Sequence, residues 1–140
     1  MKANTLQRFI SAQKHDYSTA LEEIMRGKKQ SHWIWYIFPQ MTGLGHSYYS
    51  KTYGISSIDE AREYLAHDVL GTRLREITMA LLSHNGLTAY DILGEIDSKK
   101  VRSCMTLFDA VSPDDIFNSV LEKYYSGRRC DATLAMIPKP

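Results

Sequence analysis

His32 and His46 flank the most chemically suggestive stretch of the chain, Ser31 to Ser47, SHWIWYIFPQMTGLGHS. The same seventeen residues hold both tryptophans, Trp33 and Trp35, and the closely spaced Gly43 and Gly45. Either imidazole could serve as acid or base near neutral pH. No carboxylate stands close in sequence to orient them, and a first-turn residue bonded to a neighbouring backbone group is the plain alternative for His32. Gly43-Leu44-Gly45 opens like a phosphate loop, but the dinucleotide fingerprint needs glycine or alanine at position 48, which is Tyr48. That excludes a dinucleotide or Walker-type loop. A weaker form survives, in which Gly45, His46 and Ser47 lead into a helix with Tyr48, Tyr49 and Tyr53, and its free N–H groups bind an anion. The structural alternative is a turn that needs two glycines for its backbone angles.

A second set lies between Asp97 and Val111. Lys99, Arg102, Ser103 and Thr106 are spaced three and four apart and share one helical face, with Lys100 at the boundary of the apolar stripe. Cations beside hydroxyls could hold a phosphate or carboxylate. The bland account is a solvated face on which Ser103 and Thr106 bond back to helix carbonyls. Near the end of the chain, Arg128 and Arg129 follow a helix C-terminus and Asp131 precedes a last turn, where structural roles suffice. His15, His67 and His84 are scattered without zinc-site spacing, so no metal is expected. Cys104 and Cys130 belong to no CxxC cluster and read as reduced, packed side chains.

The elements that must position these groups are helical almost throughout. Leu6, Phe9 and Ile10 mark a first helix with Asn4 or Thr5 as cap, and Tyr17, Leu21, Ile24 and Met25 a second that Gly27 can stop. Ser57 and Glu60 have the spacing of a capping box. Leu70, Leu74, Ile77 and Leu81 form the clearest amphipathic helix, and Val101, Cys104, Met105 and Phe108 the next. Ser112-Pro113 reads as the start of a helix carrying Ile116, Phe117, Val120, Leu121 and Tyr124. Trp33 to Phe38 is six large apolar residues in a row, which periodicity cannot assign to strand or buried helix. Pro39 ends any helix there by Phe38. The expected fold is all-α, one compact domain over residues 1–140 with about seven helices.

SHWIWYIFPQ and GLGHS, then KVRSCMTLF from Lys100 to Phe108, then YYSGRRCDATL from Tyr124 to Leu134, together resemble one family almost end to end. It is the family catalogued as domain of unknown function 1810, often labelled calpastatin in genomes. The resemblance implies a compact all-α domain and says little about activity. The calpastatin label fits poorly, because that inhibitor is a disordered chain and this composition has a globular core.

Seventeen Lys and Arg against sixteen Asp and Glu leave a net charge of +1, which gives no global attraction to nucleic acid or acidic membranes. No apolar run approaches the roughly 18 residues of a membrane span. With no secretion signal at Met1 to Phe9, the expected compartment is the cytoplasm. No cofactor is indicated. The reading these features favour is a small anionic, nucleotide-like or phosphorylated ligand, bound between the tryptophan–glycine segment and the Lys100–Thr106 helix, with hydrolysis there as the natural chemistry. Trp33, Trp35, Gln40, Gly43, Gly45, Ser47, Lys100, Ser103 and Thr106 would bind it, and His32 or His46 would act as acid–base. The alternative is a non-enzymatic module presenting an aromatic patch to a protein partner of unknown identity.

Overall fold

No glycine or proline interrupts the sequence between Leu6 and Arg26, so its two apolar stripes continue one another along a single helix, α1 (Gln7–Arg26). The two helices expected there are one. The computed structural model describes residues 6–138, and the cap expected at Asn4 or Thr5 lies outside them. Gly27 stops α1 at φ +82°, its N–H donating to the carbonyls of Glu23 and Ile24. The run from Trp33 to Phe38 resolves as one buried helical turn, α2 (Ile34–Ile37), which ends before Pro39. There follow α3 (Tyr48–Thr52), α4 (Ile58–Ala66), α5 (Leu70–Leu82), α6 (Ala89–Leu93), α7 (Glu95–Val111), α8 (Ile116–Tyr125) and α9 (Asp131–Met136).

The described residues thus hold nine helices rather than about seven. The single turns α2 and α6 are too short for periodicity to reveal, although Thr88 and Asp91 form a full capping box at α6. The chain is all-α, and its β-type pairing among the described residues is one parallel bridge between Met41 and Ile55. Thr42 donates to the Ile55 carbonyl at 2.9 Å and Ile55 to that of Gln40 at 2.8 Å. This bridge ties together the ends of the loop that carries Gly43 and Gly45.

Two caps differ from the sequence expectation. Ser57 accepts the Glu60 N–H at 3.1 Å, but the Glu60 carboxylate takes the Ser56 N–H and hydroxyl and meets Arg8 instead of closing the box. Ser112 ends α7 rather than starting α8. Asp114 adopts φ +58° and Asp115 caps α8, its carboxylate accepting from Ile116 N–H, the Ser112 hydroxyl and Arg75. Proline in this turn directs the chain away from helix before Asp115 restarts it.

Helix α7 organises the core. Every residue from Ser103 to Phe108 is buried, and α7 packs against α8, α4, α6 and α9. Phe108 packs against Tyr64 at 5.5 Å and Phe117 at 5.8 Å between ring centroids. The first turns of α7 instead run out to the surface and carry Glu95, Ile96, Lys99 and Lys100. No helix among the described residues is long and apolar enough to cross a membrane.

Candidate functional site

Glu23 sets the position of the tryptophan segment. It is 2% exposed and accepts from the Gln30 N–H, the Ser31 N–H and hydroxyl, and the Trp33 indole N–H, at 2.6 to 3.0 Å. Burial alone would raise its pKa, but these donors outweigh it and hold the carboxyl down at about 2. Trp33 is 1% exposed and forms part of this clasp. Lys29 joins it, with its ammonium 4.7 Å from the Trp33 ring and 2.8 Å from Asp97 at the start of α7.

Two clefts meet at Lys100. The first, about 460 Å³, lies between the Lys29–Trp35 segment and the α6–α7 corner. Its charges are balanced, since Lys29, Lys100, Glu95 and Asp97 all line it. Lys100 stands 3.9 Å from Asp97 and 5.1 Å from the Trp35 ring. His32 lines this cleft and is exposed. The Trp35 ring stacks on Tyr49 at 4.6 Å, and its indole N–H is buried without a hydrogen-bond partner.

The second cleft, about 390 Å³, opens on the other side of Lys100. Gln40, Leu44, Gly45 and Ser50 form one wall, the surface turns of α7 the other, and Cys130 with Ala132 the floor. Lys99, Lys100 and Arg102 line it and no carboxylate does. Neither Lys99 nor Arg102 has an ion-pair partner among the described residues. Arg102 Nε is buried and makes no hydrogen bond, so a charged donor lacks an acceptor beside Lys99, likewise unpaired among the described residues, and Lys100, whose ion pair is with Asp97 in the first cleft. Gly45 is required here for room: a Cβ would stand 2.5 Å from Ser50 Oγ. Gly43 serves the turn instead, at φ +94°.

The structure brings Trp35, Gln40, Gly45, Lys100 and Ser103 to these walls, with His32 in the first cleft. It does not bring Trp33, Gly43, His46, Ser47 or Thr106 there. Ser47 caps α3, its hydroxyl accepting from Ser50 N–H. Thr106 donates to the Arg102 carbonyl at 2.8 Å and accepts from Cys130 N–H at 3.0 Å. Its back-bond to the helix is the bland reading of that face, with the added work of fixing Cys130. Among the described residues neither His32 nor His46 has a hydrogen-bond partner on its ring, and no His, Cys, Asp and Glu cluster could hold a metal ion.

Sequence reasoning missed Cys130 as a wall residue. Burial raises its pKa, but hydrogen bonds from the Thr133 hydroxyl and N–H, the Ser103 hydroxyl and the Ala132 N–H outweigh that and lower it below the ordinary 9.0. Ser103 and Thr133 stand 2.6 Å apart. These partners lie thirty residues apart, so spacing carried no signal. Arg102 was visible as a member of the cationic face but not as the one whose buried Nε lacks an acceptor.

The sequence model of a family described as protein of unknown function (DUF1810) matches residues 3–137. The crystal structure of the conserved hypothetical protein Rv1873 from Mycobacterium tuberculosis, at 1.38 Å, matches with a TM-score of 0.93. The two chains are 40% identical, and the match covers 96% of this chain and 97% of that one. No curated protein matches the chain.

Proposed function

The chain belongs to the DUF1810 family, and we propose that its second cleft binds a small phosphate-bearing ligand. The observation that carries this reading is the cation set on α7: Lys99, Lys100 and Arg102 face one concavity that no carboxylate lines. Three like charges beside one another repel, and an anion between them relieves that repulsion. Each charge-assisted hydrogen bond to phosphate contributes about 1.5–3 kcal/mol. Two of them reach the scale of a millimolar Kd, about 4 kcal/mol. Leu44 and Ala132 add apolar contact in the same cleft.

The reading is of binding rather than hydrolysis. His32 lines the first cleft, across Lys100 from the cations, and His46 lines neither. The partner-module alternative draws support from Tyr48, which is 75% exposed. Against it, Trp33 is committed to Glu23 and Trp35 to Tyr49.

A thermal-shift titration with inorganic phosphate tests the binding reading. The melting temperature of the wild type should rise by several degrees at saturating phosphate, since a hundredfold excess over Kd stabilises by about 2.7 kcal/mol. Arg102→Ala should abolish most of the shift. An unchanged melting temperature at about 100 mM phosphate, a hundredfold excess over a millimolar Kd, contradicts the reading.

A further inference from the structure

We infer that the ligand is a nucleoside monophosphate whose uncharged half occupies the first cleft while its phosphate sits in the second. This rests on the phosphate-binding reading and extends it across Lys100. The two clefts are not independent, because Ile96 and Lys100 line both. Ile96 is 70% exposed, on a helix whose residues 103–108 are all buried. As a low apolar ridge between two concavities, it offers contact to a ligand that straddles it.

The second cleft is larger than a phosphate needs, and the first has the wrong charge for one. Glu95 and Asp97 balance Lys29 and Lys100 there, so a second anionic group has no net attraction to it. Its walls instead suit a flat, neutral, partly apolar group. Leu93 and Trp35 supply apolar surface. His32 and Glu95 are exposed at its margin and neither has a side-chain partner among the described residues. A carboxylate accepts from ribose hydroxyls or an exocyclic amine, and an imidazole can donate or accept at a base edge. Together the clefts fall in the usual size range for small-ligand sites, about 300–1,000 Å³.

Isothermal titration of the full chain with AMP and with inorganic phosphate separates this inference from the reading beneath it. AMP should bind at least about tenfold more tightly than phosphate, the contribution of burying one apolar face and one or two hydrogen bonds. Glu95→Gln and His32→Ala, both changes at exposed positions, should each weaken AMP about two- to tenfold while leaving phosphate within about twofold. Arg102→Ala should weaken both ligands. Equal affinities for AMP and phosphate, each lowered by Arg102→Ala, would overturn the inference and leave phosphate binding standing. AMP binding that ignores both Glu95→Gln and His32→Ala would also overturn it. Absence of binding by either ligand overturns both.

Discussion

Lys100 is the residue on which both clefts depend, and its surroundings suit a ligand contact better than a structural pillar. It is shared between Asp97, the Trp35 ring and solvent, and partly exposed pairs of this kind are worth about 1 kcal/mol at most. Lys100→Ala should therefore unfold in urea within about 1 kcal/mol of the wild type, yet lose about tenfold in phosphate affinity. A large loss of stability would assign Lys100 to the core instead. Cys130 provides a second, independent reporter. Cys104 is fully buried, so Cys130 should be the only thiol that iodoacetamide modifies in the folded chain. Its hydrogen-bond donors outweigh burial and lower its pKa, so a Ser103→Ala variant, which removes one of them, should react more slowly at neutral pH than the wild type. Phosphate or AMP should slow that reaction, because the thiol shares the cleft with the cations. Mass spectrometry of the modified peptide checks both points.

At the scale of elements, the site is held by contacts that link distant parts of the chain. Glu23 on α1 fixes the loop through Trp33, and its depressed pKa has a definite sign for stability. A carboxyl near 4.5 when unfolded and about 2 when folded favours the folded state by about 3 kcal/mol above pH 4.5. That contribution disappears as the pH falls from 4.5 towards 2. Glu23→Gln should be less stable at neutral pH and should show a flatter dependence on pH across that window, measured by urea unfolding. Gly71 tests the corner between α4 and α5. A Cβ there would stand 2.0 Å from the Leu65 carbonyl oxygen. The gain in helix propensity from Gly71→Ala is about 1 kcal/mol, whereas forcing backbone apart costs about 1–3 kcal/mol or more. A net loss of stability is expected, and a more stable variant would contradict the close approach. The amphipathic stripes of α5, α7 and α8 were legible because each spans several turns. The single turns α2 and α6 were not, since four or five residues carry no period. The start of α8 was misplaced because Ser112-Pro113 has the residue types of a cap, while the carboxylate that caps it, Asp115, also answers to Arg75 forty residues away.

Over the whole molecule, the net charge of +1 conceals an uneven distribution. Seven of the cations among the described residues pair with acids, as Arg8 does with Glu60, Arg75 with Asp115 and Arg129 with Asp109. The surface turns of α7 concentrate cations that are not matched within their cleft. Composition could exclude a polyanion-coated surface but not reveal a local concavity, because the walls come from residues 40–50, 96–103 and 130–132. The sequence pattern did bring the glycine loop and the α7 face under suspicion, through Gly45 and Lys100. It could not tell that Trp33 turns inward to a buried carboxylate, or that Cys130 closes the floor. Both facts depend on packing between elements. The most direct test of the cationic cleft is an amide proton–nitrogen correlation spectrum of the labelled chain titrated with inorganic phosphate. Saturable shifts are expected at Gly45, Ser50, Lys99 to Ser103 and Cys130 to Ala132, with the amides of α4 and α5 unmoved. No shifts at millimolar phosphate, or shifts centred on another face, would contradict phosphate binding there.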